Sequence, residues 1–356
     1  MSDLISPRRR GLMMSLFGLS QGAATLTGTL LGGVLGAADW RHPFTIVALA
    51  GAFAAVAYLP TGRIYRGQSE PELSEMFASG REYHHRIDRG DLRRILVRRS
   101  NLLLILQGLP AQLVFGSLVW MPRLLQAKVE QQGYTQQVAI VVGSAFAAVF
   151  QLGGVLSVFG GVVGDRLQRR SLRGRAMVAS VGVLAGIPFY VVLFFLPLRI
   201  SIAAGAGTGD VLRAIVGSLL TEPTVGISFL MALLALALTS ANSPNWLALI
   251  ADVNLPEHRA IVYSAGNLVN SLGRSAGNGV VGAVFGVLAP ALPPPLNYAV
   301  GLAAFQLFFI PTGVMYYCAS RTVPMDVRQV RDTLHNRAND DGDATPDQAL
   351  LKPRRD

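Results

Sequence analysis

The sequence predicts an all-α polytopic membrane protein, a bundle of eight transmembrane helices. Three observations carry this expectation. Of the 356 residues, 51% are hydrophobic and only 15% charged, outside the usual balance of soluble domains. The apolar residues gather into runs of roughly 20, the length a helix needs to cross a ~30 Å hydrocarbon core. The runs also lack the alternating polarity that ~10-residue barrel strands require. The 38 glycines fit the same class, because lipid-embedded helices tolerate glycine and use it for close backbone approach.

In chain order the spans fall roughly at Gly11 to Gly36, Pro43 to Leu59, Leu102 to Met121, Val138 to Val163, Ala176 to Pro197, Val225 to Ile250, Ile261 to Ala289 and Leu296 to Ala319. The second is short, and the third carries Gln107 and Gln112. Between the second and third, Thr61 to Ser100 mixes nine arginines with acids and reads as a connector, part amphipathic helix. Residues 320–356 are polar and proline-interrupted, with the composition of a tail that is disordered after its first turns. The chain thus divides into 1–60, two helices; 61–100, the connector; 101–319, six helices; and 320–356, the tail.

If the spans alternate sides, 25 of the 31 Lys and Arg residues share one side with both termini, and five lie opposite. Lys and Arg accumulate on the cytoplasmic side of membrane proteins. The expected location is therefore the plasma (inner) membrane, multi-pass, with both termini cytoplasmic. Because the net charge of +10 is spread between apolar runs and not gathered in one basic domain, it reads as topology and not as nucleic-acid binding.

Sliding the chain against itself gives one internal match, at an offset of 249 residues. Asp3, Pro7, Arg10, Ser15, Gly28 and Gly33 fall on Asp252, Pro256, Arg259, Ser264, Gly277 and Gly282. The first and seventh spans are then equivalent, and the repeat unit is six spans long, a build used by one large transporter class. Spans three to eight make one complete half. The first two become the fifth and sixth helices of another half, whose four earlier helices are expected to precede Met1.

After the fourth span come Gly161, Gly164, Asp165, Arg166, Arg169 and Arg170. This stretch resembles the short cytoplasmic motif that joins the second and third helices of a half in the major facilitator superfamily, with Gln168 where the family usually has glycine. An Asp near a helix C-terminus is unfavourable alone and needs arginines or the positive start of a facing helix. The resemblance implies that this partner is the start of the other half's fifth helix, at Arg10 and Gly11, and that the contact is a gate favouring the outward-open state. Asp165, Arg166, Arg169, Arg170 and Arg10 are the gating candidates. In the first span, Gly28, Thr29, Gly32 and Gly33 resemble the family's glycine motif, with Thr29 where antiporting members have proline.

The seventh span carries Asn267, Asn270, Arg274 and Asn278 on one face of an otherwise apolar helix, beside Gly273 and Gly277. A guanidinium at membrane depth is costly, so it should face a water-filled cavity, and with no acid deep in any span its partner is an anionic substrate group or an acid elsewhere. Near the end of the sixth span, Asn242, Ser243, Pro244 and Asn245 form a helix-breaking polar patch. Arg274, Asn267, Asn270, Asn278, Asn242 and Asn245 are the cavity-lining candidates. Together with the Asp252 to Arg259 segment they resemble the spinster-like branch of the superfamily, which exports lipids and other amphiphiles. A lipid bilayer and a small-molecule or lipid-like substrate are the expected partners.

No catalytic role is expected. His84 and His85 lack metalloprotease spacing, and there is no phosphate-binding loop or nucleophile elbow. Neither cofactor nor metal is called for, and the single Cys318 excludes a disulfide. The sequence therefore reads as a secondary transporter working by alternating access; the rival is a non-transporting membrane remnant or scaffold that binds a partner.

Overall fold

Helices dominate, and no strand occurs, among the described residues of the computed structural model, namely 2–36, 41–62, 64–85, 87, 90–202 and 208–343. The side chains of 2, 21, 25, 26, 28–36, 137, 151, 208–212 and 340–343 lie outside the description. So does the side-chain environment of the glycine motif at Gly28 to Gly33.

The first pair is α1 (Arg10–Gly36) and α2 (Arg41–Tyr58). α2 buries none of its residues, whereas α1 lies against the six-helix part. The connector holds two short helices, α3 (Ser74–Ala78) and α4 (Asp91–Val97). The third span is a series, α5 (Arg99–Leu106), α6 (Gly108–Ser117) and α7 (Met121–Glu130). The fourth is α8 (Gln136–Phe150), a 3-10 stretch, and α9 (Ser157–Arg170). The fifth is α10 (Gly174–Phe195). It is followed by α11 (Thr208–Thr221), a helix outside the eight expected spans. The sixth is α12 (Pro223–Ser240) plus α13 (Asn242–Val253), the seventh α14 (Arg259–Leu288), and the eighth α15 (Leu296–Gln306) plus α16 (Phe309–Asp343).

Five of these stretches are long and apolar enough to cross a membrane: Arg99–Glu130, Val138–Arg170, Gly174–Phe195, Pro223–Val253 and Leu296–Asn339. They coincide with the third, fourth, fifth, sixth and eighth expected spans. α14 has the length, with 30 residues, but its polar stripe dilutes its apolarity.

Four of the spans are broken within, where single helices were expected. At two of the breaks a carbonyl takes a side-chain donor. At Gln107 the carbonyl accepts from Thr312 of α16 at 3.4 Å. At Ala241 it accepts from Asn245 Nδ2 at 2.8 Å, with Pro244 one turn inside α13. The 3-10 stretch Gln151–Leu156 carries Gly153 against the Leu233 carbonyl of α12, and the eighth span breaks between Gln306 and Phe309.

Two apolar cores fill the six-helix part. One holds Val114, Phe146, Tyr190, Phe194, Ala235, Phe285 and Phe309; the other holds Leu104, Ala179, Trp246, Leu249, Val262, Tyr316 and Val323. A third, smaller cluster corrects the reading of the tail. Residues 320–343 continue α16, because Val330 and Leu334 pack on Leu73, Met76 and Tyr83 of the connector. Around it, Arg337 bonds both Tyr83 Oη and Glu257 Oε1, and Tyr83 donates to Glu257 Oε2 at 2.8 Å.

Candidate functional site: a buried ion-pair network at the basic end

Five helix ends converge where the basic residues cluster: the starts of α1, α10 and α14 and the ends of α9 and α13. α1 crosses α9 at two glycines. A Cβ on Gly11 would sit 2.8 Å from Gly161 O, and one on Gly161 would meet Gly11 O at 2.5 Å, so neither residue has room for a side chain. One turn further along α9 the same face carries Asp165. Its carboxylate accepts from Gly11 N (Oδ1, 2.9 Å) and Leu12 N (Oδ2, 2.9 Å). The first amides of α1 have no partner inside their own helix, so a carboxylate there satisfies them and complements the helix dipole.

Asp165 is neutralised by Arg175, in the first turn of α10. Arg175 donates to Asp165 Oδ1 from Nε (3.2 Å) and Nη2 (2.6 Å), to Asp252 Oδ2 from Nη1, and to Pro7 O at 2.8 Å. Asp252, at the end of α13, also takes Arg10 Nη1 at 2.7 Å. Arg10 Nη2 reaches Glu70 of the connector at 2.7 Å, and the same Glu70 oxygen accepts Arg259 Nη2 at 2.6 Å. Arg259 Nη1 contacts Asp3 at 3.2 Å.

Three arginines and four carboxylates thus form one continuous network, and the amides of α1 offset part of its single excess negative charge. Arg10 and Arg175 are each 1% exposed and Asp165 3%. Burial by itself would lower the pKa of Arg10; Glu70 and Asp252 outweigh it and hold the guanidinium above its ordinary value.

The gating candidates divide. Asp165 and Arg10 belong to the network, though Arg10 pairs with Glu70 and Asp252 and not with Asp165. Arg166, Arg169 and Arg170 are exposed; Arg169 reaches only Arg8 O at 3.3 Å, and the other two make no ion pair among the described residues. Gln168, the departure from the family motif, accepts the Arg175 amide at 3.2 Å and so helps start α10. Arg175, Asp252, Glu70 and Arg259 were not singled out as gate residues. For Asp252 and Arg259 the signal was present, since they are the repeat equivalents of Asp3 and Arg10. Arg175 and Glu70 reach the site by side-chain length across loops, which has no periodic signature.

The cavity-lining candidates also divide. Asn242 bonds Tyr316 Oη, and Asn245, fully buried, donates to Gly160 O (3.1 Å) and Ala241 O. Both hold α13 to its neighbours, while Asn245 Oδ1 is buried with no hydrogen-bond partner among the described residues. α14 packs on α6 through small residues: a Cβ on Gly273 would lie 2.6 Å from Leu109 O, and Gly277 and Gly116 are blocked by the backbone of Leu113 and Arg274. Asn270 lies over Gly108 in this interface. Asn278 accepts from Trp120 Nε1 at 2.8 Å. Arg274 is exposed and makes no hydrogen bond or ion pair with a described residue. It sits ~22 Å along the ~45 Å of α14, near its middle. Asn267 lines an open groove of about 480 Å³ together with Asp3, Met14, Phe17, Arg259 and Tyr263. The six candidates therefore do not converge on one point. Arg274 and Asn267 remain accessible on α14.

Among the described residues no group of His, Cys, Asp and Glu is placed to hold a metal. Comparison with curated proteins gives no match. The family model of the Major Facilitator Superfamily matches residues 1–278, more than three quarters of the chain. The chain belongs to the major facilitator superfamily. It is therefore a membrane transporter in the general sense of that family.

Proposed function

We propose that this protein is a secondary active transporter of a small or amphiphilic solute that works by alternating access, in the inner membrane with both termini cytoplasmic. The observation that carries the reading is the seating of Asp165 on the first amides of α1, with Arg175 and Asp252 behind it. This ties the start of α1 to the six-helix bundle at the basic end, a contact that a gate between two rocking bodies would make and break. The basic end is the cytoplasmic one and is closed in this conformation.

Arg274 is the proposed substrate contact. An unpaired guanidinium halfway along a membrane-length helix has a desolvation cost that an anionic substrate group would offset, and Asn267 lies on the same accessible face. The repeat supports placing α1 and α2 as the last two helices of a first six-helix half, and the Asp252 to Arg259 segment supports the spinster-like branch and hence an amphiphilic substrate. Trp120, bonded to Asn278 one turn from Arg274, gives a test. Binding of a single-chain anionic amphiphile should change tryptophan fluorescence in the parent, fail in Arg274→Ala, and persist weakly in Arg274→Lys, which keeps the charge without the bidentate fork. Equal binding by parent and Arg274→Ala would end the assignment.

A further inference from the structure

One residue of the network belongs to neither repeat copy. Arg10 and Arg259 are repeat equivalents, and so are Asp3 and Asp252. The structure pairs them crosswise: Arg10 with Asp252, Arg259 with Asp3. Between the two arginines stands Glu70, whose single Oε1 accepts from both. Their Nη2 atoms can therefore lie no further apart than about 5.3 Å. Two guanidinium groups this close in a buried place repel strongly unless a carboxylate lies between them.

Glu70 is held there by the connector. Gly67 donates to Asp3 Oδ1 at 3.1 Å, Ser69 Oγ to Ile5 O at 3.1 Å, and the Glu70 amide to Gly67 O at 3.0 Å. Gly67 has φ +73° and sits where a side chain would press on Leu73 and Pro256, so the turn rests at once on the segment before α1 and on the loop before α14. Leu73 then anchors it to α16.

We propose that Glu70 is a positioning residue of the gate: the connector carboxylate that lets the two repeat-related arginines sit side by side, and whose loss opens the cytoplasmic end. This rests on the gate reading given above. A count of charges points the other way, since removing Glu70 leaves three arginines against three acids. Geometry decides, because Asp252 bonds Arg10 and Asp3 bonds Arg259, and of the four acids only Glu70 bonds both.

The test uses the full chain with Cys318→Ser and a reporter at Met14→Cys, a position on α1 that is 3% exposed in the closed state. In inside-out vesicles the labelling rate with a membrane-impermeant maleimide reads opening of the cytoplasmic end. Glu70→Gln should label about tenfold faster than the parent. Glu70→Asp, one methylene too short to serve both arginines, should fall between. Adding Arg259→Gln to Glu70→Gln should restore slow labelling, a rescue that a merely structural defect would not show. Slow labelling by Glu70→Gln while Asp165→Asn labels fast would overturn the proposal and leave the gate intact. Slow labelling by both would remove the gate reading itself, and fast labelling without rescue by Arg259→Gln would also overturn the role of Glu70. Should Glu70→Gln not reach the membrane, the Glu70→Asp rate and its rescue by Arg259→Gln decide in the same way.

Discussion

Asp165 and Arg175 form a buried ion pair at the basic end. Removing Arg175 leaves Asp165 only the amides of α1, and removing Asp165 leaves Arg175 only Asp252 and a carbonyl; breaking a buried pair costs up to ~3–5 kcal/mol. Asp165→Asn and Arg175→Ala should therefore each lower the melting temperature of the detergent-solubilised protein clearly. Ala at Arg166 or Arg170, exposed and outside the network, should shift stability by less than ~0.5 kcal/mol. Thermal melting of the four variants checks the contrast, and equal losses would mean that charge count, not burial, governs this end. Asp165 was readable through the resemblance of the stretch Gly161, Gly164, Asp165, Arg166, Arg169 and Arg170 to the superfamily's short motif, which implied a partner at the start of α1. The sequence left Arg175 unread, because a reach across the turn after α9 follows no period. The same limit applies to the α14 stripe: a 3.6-residue spacing says that Asn270, Arg274 and Asn278 are near one face, but not that Gly108 and Trp120 occupy two of them.

At the scale of elements, the crossing of α6 and α14 is the tightest helix pair tied to the proposed site, and it is built from glycine. Gly277→Val would drive a branched side chain into the Leu113 backbone, and overpacking of this kind costs ~1–3 kcal/mol or more. Gly279, two residues on, has open space where a Cβ would go; Gly279→Ala should be neutral or gain up to ~1 kcal/mol from helix propensity. Opposite shifts in the aggregation temperature are expected, and a harmless Gly277→Val would show that the two helices are not in contact. The spans were legible as elements because apolar runs of membrane length are a strong signal. Their internal breaks were not, apart from the one at Pro244. At Gln107 the side-chain donor that joins the carbonyl, Thr312, lies 205 residues away in sequence. α11 and the helical continuation of the tail were missed for a related reason, since each owes its order to packing against a distant segment.

For the molecule as a whole, connector and tail form a layer over the basic end, tied together by Tyr83, Glu257 and Arg337. Burial pushes the Glu257 carboxyl up, but the bonds from Arg337 and Tyr83 outweigh it and hold the pKa below the ordinary value. A depressed carboxylate pKa stabilises the docked state fully above the unfolded value of ~4.3, and that stabilisation is lost as pH falls below it through the folded value. A spin label at His335, exposed on α16, should become more mobile over that acid window, and Glu257→Gln should already be mobile at neutral pH. No change in mobility at any pH would show that the triad does not hold the layer. The sequence match at an offset of 249 reached this scale only as a set of residues: it singled out Asp3, Arg10, Asp252 and Arg259, which the structure pairs as Arg10 with Asp252 and Arg259 with Asp3.

The central claim is that the basic end is a gate held shut by Asp165 on the start of α1. It is tested most directly by pulsed electron resonance between spin labels at Arg9, exposed just before α1, and Arg170, exposed at the end of α9, in nanodiscs with Cys318→Ser. A dominant short distance is expected in the parent, with the population moving to a longer distance in Asp165→Asn. One unchanged distance distribution in both proteins would contradict the account.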